Sequence, residues 1–184
     1  MGILELWLPI LVTSVVMFFV GFIAWTVSPH HKKDWVKLPN EDDIQKTVRS
    51  GNIKPGQYIF PHCADWSELK DPEKKARYEA GPHGTVTVWA GPPAMGKSMA
   101  LTFFYQVVVS VFIGYLTSLA LGASAEFSKV FQVAGTAGIL AHCFASIPNA
   151  IWFCKPLRAI MTDLIDGVIY GLLTGVIFAW LWPS

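Results

Sequence analysis

Four stretches of this chain each reach the roughly 20 apolar residues that a ~30 Å hydrocarbon core demands. They run approximately from Ile3 to Val27, Met99 to Leu121, Val130 to Phe153 and Ala159 to Trp182. Composition agrees: 53% of the 184 residues are hydrophobic, and the charged residues, only 15%, are concentrated in one region. The fold class expected is an α-helical integral membrane protein with four transmembrane helices and a small α+β cytoplasmic segment between helices 1 and 2.

The first stretch, "ILELWLPILVTSVVMFFVGFIAW", has no basic residues before it, is too long for the apolar region of a secretory signal, and lacks a small-x-small cleavage site. It reads as a retained helix. "MGILEL" has no Ser or Thr at position 6, so a myristoylation signal is not met.

Orientation follows from the basic residues, because Lys and Arg are retained on the cytoplasmic side in short loops near helix ends. Lys32, Lys33 and Lys37 follow the first span, Lys97 precedes the second, and Lys155 and Arg158 lie between the third and fourth. The opposite side has only Lys129, beside Glu126. Both termini are therefore expected outside an inner (plasma) membrane. Trp7, Trp25, Trp152, Trp180 and Trp182 fall near predicted helix ends, where amphipathic rings favour the interface.

The organisation expected is a first helix over 1–27, a cytoplasmic cap over 28–97 and a three-helix region over 98–184. The cap, roughly seventy residues, is small for an independent enzyme domain. "NEDDIQKTVRSG" predicts a helix capped by Asn40, with acids in its first turn and Arg49 and Gly51 at its end. In "DPEKKARYEAG", Asp71 caps, Pro72 fits the first helical position and Gly81 stops the helix. Tyr58–Phe60 and Thr85–Trp89 are β-branched and aromatic runs that predict a strand pair.

"GPPAMGKS", Gly91 to Ser98, satisfies the spacing G-x-x-x-x-G-K-[ST] of a phosphate-binding loop. Context argues against it. Such a loop delivers phosphate to a helix packed on a multi-stranded parallel sheet, with an acid on another strand to hold magnesium. Here a membrane span comes next, and Pro92 and Pro93 remove two backbone N–H groups from the cradle. The expected roles are structural: Pro92, Pro93 and Gly96 break the chain, Ser98 caps the span, and Lys97 snorkels to the head groups.

His30, His31, His62, Cys63 and Asp65 are metal-ligating residue types, but their spacing matches no paired-ligand motif, and side chains at i, i+1 rarely point to one ion. "HHKKDW" reads as a basic membrane-surface collar. The three cysteines, Cys63, Cys143 and Cys154, fit reduced thiols.

The last two spans carry mirrored polar stripes. Gly135, Gly138, His142, Ser146 and Asn149 share one helical face, and Asp163, Asp166, Tyr170 and Thr174 share another. In a hairpin turning near Pro156, Asn149 lies level with Asp163, Ser146 with Asp166, His142 with Tyr170, and Gly138 with Thr174. Gln106 and Ser110 of the second span could join this seam, and Pro148 would kink the third span beside it. Small and hydroxylic residues serve helix packing, but a carboxylate within a span is costly and faces the bundle interior, a partner or water. Asp166 lies about 12 Å along the helix from Arg158. Asp163 is expected to pair with Lys155 or Arg158.

No nucleophile, base and orienting acid occur together at interpretable spacing. The reading is a non-catalytic accessory, scaffold or assembly component, with a small oligomeric proton or ion conduit using the seam as the alternative. The partners expected are the lipid bilayer and other membrane subunits or further copies of the chain. No nucleotide, nucleic acid, metal or other cofactor is expected.

Overall fold

A computed structural model describes residues 2–184. It is 67% helical. Among the described residues, four helices are long and apolar enough to cross a membrane: Ile3–Thr26, Met95–Ala120, Phe127–Trp152 and Leu157–Trp180. The chain forms two compact units, one of Met1–Val36 with Ala94–Ser184 and the other of Lys37–Pro93.

In the helical unit, a 3-10 turn at Ile3–Leu6 leads into α1 (Trp7–Thr26). Large apolar side chains cover the perimeter, among them Leu11, Phe19, Phe22, Phe104, Phe112 and Leu116, all exposed. Such an apolar perimeter is consistent with a multi-pass membrane protein. The interior is small and polar by contrast, with Thr13, Ser14, Gln106, Ser110, Thr117 and Thr174 buried. At the end bearing both termini the interior becomes apolar, where Leu6, Ile10, Ile113, Val130, Ala134 and Phe178 form one core. Trp182 Nε1 donates to the Gly122 carbonyl at 3.0 Å there, tying the chain end to a helix connection.

The second span, α4 (Met95–Ala120), begins earlier than the apolar run suggests. Its N-cap is Ala94, so Gly96, Lys97 and Ser98 lie in its first turn and Ser98 is not the cap. Pro92 and Pro93 fall just before it, outside the helix. Ser98 instead offers its carbonyl to the Thr102 hydroxyl, 2.8 Å away.

The third span is not uniform. It runs as α5 (Phe127–Ile139), a π-helical turn at Leu140–Phe144, and α6 (Ile147–Trp152). Pro148 has no N–H for the Phe144 carbonyl, and the ladder widens in the turn before it. Against α5 and the π-helical turn packs the last helix, α7 (Leu157–Trp180), through Gly171 and Gly175 on the former and Gly167 on the latter. Their G-x-x-x-G-x-x-x-G spacing keeps one helix face free of side chains. A Cβ on Gly171 would stand 2.6 Å from the Ile139 nitrogen, and one on Gly175 would stand 3.0 Å from Gly135 Cα.

In the other unit, β1 (Gly56–Phe60) and β2 (Gly84–Val88) pair antiparallel, with Tyr58 opposite Val86. Between them α3 (Pro72–Ala80) is capped by Asp71, whose carboxylate accepts from the Glu73 and Lys74 amides. Asp65 and Glu68 form a capping box on the preceding 3-10 turn, Trp66–Lys70. The remaining helix, α2 (Glu41–Ser50), comes after Asn40, although the Asn40 side chain makes no capping bond. No residue of Lys37–Pro93 is fully buried.

Gly171→Ala should destabilise the helical unit by about 1–3 kcal/mol, the typical cost of overpacking. Gly122→Ala, where an added Cβ meets nothing within 4 Å, should leave stability unchanged. Reversible unfolding of the two variants in mixed micelles, compared with the parent, checks the contrast.

Candidate functional site

Beyond Thr26 the chain turns back on itself. Turn bonds from the Lys32 amide to the Pro29 carbonyl and from the Asp34 amide to the His31 carbonyl close this short segment. The turns bring His30, His31 and Asp34 against the first three turns of α7. There Arg158, Thr162 and Asp166 recur every four residues along one face.

Asp166 is buried, and each of its carboxylate oxygens has an imidazole partner. His30 Nε2 lies 2.9 Å from Oδ1 and His31 Nε2 lies 2.9 Å from Oδ2. The other nitrogen of each ring is also engaged. His30 Nδ1 is 2.5 Å from Ser28 Oγ, and His31 Nδ1 is 2.6 Å from Asp34 Oδ2. Asp34 in turn pairs with Arg158 and accepts from Thr162 Oγ1 at 3.0 Å, and Arg158 also donates to the His30 carbonyl at 2.6 Å. The Trp25 ring stacks on His31, with centroids 3.9 Å apart and planes 8° from parallel.

His31 therefore sits between two carboxylates. With both acids ionised, both ring nitrogens donate only when the ring is the imidazolium. Burial opposes that charge, but the hydrogen bonds to Asp166 and Asp34 and their negative charges outweigh it, and the His31 pKa is raised. Asp34 shows the complementary effect. Burial would raise its carboxyl, yet the hydrogen bonds from His31 and Thr162 and the nearby Arg158 guanidinium hold it below its ordinary value.

This arrangement corrects the reading of "HHKKDW" as a basic collar. Lys32 and Lys33 are exposed, but His31 is only 4% exposed and the first histidine is half-buried. It also corrects the argument that adjacent histidines point apart. That holds in a regular strand or helix, whereas the turn beyond α1 lets both Nε2 atoms reach one carboxylate. Residues 28–36 accordingly belong to the helical unit, and the separate α+β unit begins at Lys37.

The proposed seam residues are distributed as follows. Asp166 and Tyr170 face inward on α7, and His142 meets the Tyr170 ring edge-on at 5.4 Å and the Tyr105 ring at 6.4 Å. Gly138 approaches Thr174 closely. Gln106 is buried in α4, with its carbonyl oxygen lacking a protein partner among the described residues. Ser146 lines a cleft with Trp25, His142, Asp163, Asp166 and Tyr170 but makes no hydrogen bond to Asp166. Asn149 is exposed and is not in the cleft. Asp163 pairs with Lys155 at the surface.

His62, Cys63 and Asp65 lie in the other unit. His62 and Cys63 border a groove with Glu68, Lys74, Arg77 and Tyr78, while the Cys63 thiol donates to the Asp65 carbonyl. The strand preceding the G-x-x-x-x-G-K-S match belongs to a two-stranded antiparallel sheet. No protein-family model, curated protein or solved structure matches the chain.

Two aspartates three residues apart should therefore respond differently. Asp163→Ala removes an exposed ion pair and should cost no more than about 1 kcal/mol. Asp166→Leu strands two imidazoles in a buried site and should cost about 3 kcal/mol or more, with Asp166→Asn intermediate because the amide keeps shape and one acceptor. Denaturant unfolding of the three variants in detergent measures the order.

Proposed function

We propose that this chain is a non-catalytic, multi-pass inner-membrane protein serving as an accessory or scaffold component of a membrane complex. The observation that carries this reading is the saturation of Asp166. Its two carboxylate oxygens are both engaged by side chains of the same chain, as expected of a group that fastens helices together. The Lys37–Pro93 unit supports it from another direction. It has no fully buried residue among those described, and it exposes Ile59, Phe60, Trp66 and Trp89. A segment with so little core of its own gains stability by lying on a partner.

The distribution of basic residues supports a cytoplasmic location for that unit, with both termini outside. A membrane-impermeant thiol reagent applied to intact cells should miss Cys63 and Cys154 but label Ser184→Cys. Labelling of Cys63 in sealed cells would reverse the orientation.

A proton or ion conduit is the second reading, favoured by the cleft that Asp166 shares with His142, Ser146 and Tyr170. Two measurements separate the readings. A scaffold should co-purify in mild detergent with a defined set of membrane proteins, lose them when Lys37–Pro93 is replaced by a flexible linker, and show no flux in proteoliposomes. A conduit should give flux that Asp166→Asn abolishes while the folded protein is retained. Purification as a lone chain together with such flux would reject the scaffold.

A further inference from the structure

We propose that His30, His31 and Asp166 form a binding site for a divalent transition-metal ion of the zinc class. Each side chain offers one ligand atom, and the three atoms all lie within 4.8 Å of one another. Two imidazoles and a carboxylate are a donor set that suits Zn²⁺ and its first-row neighbours. Magnesium and calcium favour all-oxygen shells, so they are not the fit.

The groups behind the ligands carry the proposal further than proximity does. A metal-bound imidazole commonly donates its other N–H to an oxygen, which fixes the ring and leaves the remaining nitrogen's lone pair for the ion. Both rings here have such an oxygen in place. Asp34 Oδ2 stands 2.6 Å from His31 Nδ1, and Ser28 Oγ stands 2.5 Å from His30 Nδ1. Arg158 and Thr162 hold Asp34, and Trp25 holds the plane of the His31 ring. Both Nε2 atoms are thereby aimed at the same carboxylate.

The fit requires the ligand atoms to draw in around the ion. Two ligand atoms on tetrahedral zinc, at ~2.0–2.1 Å from the ion, stand about 3.3 Å apart. Each Nε2 now lies 2.9 Å from its own Asp166 oxygen, a hydrogen-bond distance, so the ion takes one of these oxygens together with both Nε2 atoms, and the widest separation among the three draws in from as much as 4.8 Å. In doing so the ion takes the place of the Nε2 protons. The His30 side chain retains 31% exposure, which gives an approach from water and leaves a fourth position for water or a partner's ligand. Two elements far apart in sequence would then share one ion: the turn after α1, whose His31 ring Trp25 covers, and α7. The site does not depend on whether the chain scaffolds or conducts.

The test uses the full chain in mild detergent, carrying no polyhistidine tag, stripped with chelator and titrated with Co²⁺ and Zn²⁺. One equivalent should bind, with visible Co²⁺ bands of a four- or five-coordinate site that Zn²⁺ displaces and millimolar Mg²⁺ does not. His30→Ala should weaken Co²⁺ binding more than about 100-fold, and Ser28→Ala, which removes only the oxygen behind the ring, about 10-fold to 100-fold. His62→Ala should change nothing. His30 is half-buried and its removal leaves the His31 bonds to Asp166 and Asp34 in place, so unfolding midpoints of the metal-free variants close to the parent's are expected. If His30→Ala nonetheless unfolds, Ser28→Ala alone decides. Absence of saturable Co²⁺ binding, equal competition by Mg²⁺, or parent-like affinity in folded His30→Ala or in Ser28→Ala would overturn the site.

Discussion

The helical unit depends on how it accommodates one carboxylate. An ionised Asp166 on an apolar helix is costly wherever neither water nor a partner reaches it. The chain meets that demand with two imidazoles from the turn after α1. They in turn require Asp34, and Asp34 requires Arg158 and Thr162. Arg158, Thr162 and Asp166 lie on one helix face. The network therefore starts and ends on α7 and passes through the segment that leaves α1. It ties the first span to the last, which are far apart in sequence, at the end of the bundle opposite the apolar core around Phe178. Such a network is unforgiving, because every member but the exposed Arg158 is buried or half-buried with its partners already assigned.

The close contact between the third span and α7 has a different origin. Gly167, Gly171 and Gly175 present bare backbone to Cys143, Ile139 and Gly135. Dispersion between closely approaching backbones replaces the hydrophobic drive that lipid cannot supply. This proximity sets where His142 can be. It lies in the π-helical turn, with Tyr170 on one side and Tyr105 on the other. The glycine contact and the histidine network thus act on successive stretches of α7, one fixing its approach to the third span and the other its approach to the first.

Much of the fold is legible in the residues. Length and apolarity locate all four helices, and Asp71, Pro72 and Gly81 delimit α3 by capping chemistry that needs no tertiary information. The strand pair follows from Gly and Pro flanking β-branched runs. The glycine spacing of α7 is equally readable, although the polar stripe on the same helix is the more conspicuous signal. Less of the candidate site is legible. Asp166 stands out as an ionisable group in a span, but its partners lie some 135 residues away along the chain. Nothing local in "PHHKKDW" encodes that approach. Only a helix end, a turn and the stacking of Trp25 bring it about.

The mirrored seam shows how one local irregularity limits sequence reasoning. Equal spacing from the hairpin turn assumes that both helices advance about 100° per residue throughout. The π-helical turn at Leu140–Phe144 inserts the equivalent of one residue, rotating the later part of the span by about that angle relative to the earlier part. Gly138 with Thr174, before the turn, and His142 with Tyr170, within it, are in contact. Beyond it, Ser146 and Asn149 are exposed and neither hydrogen-bonds an aspartate. Asp166 is consequently left without a donor from the third span at its own depth, and this is the place that His30 and His31 fill. Pro148 therefore does more than kink a helix. By forcing the widened turn, it moves the polar partner of Asp166 from the neighbouring span to the turn beyond the first.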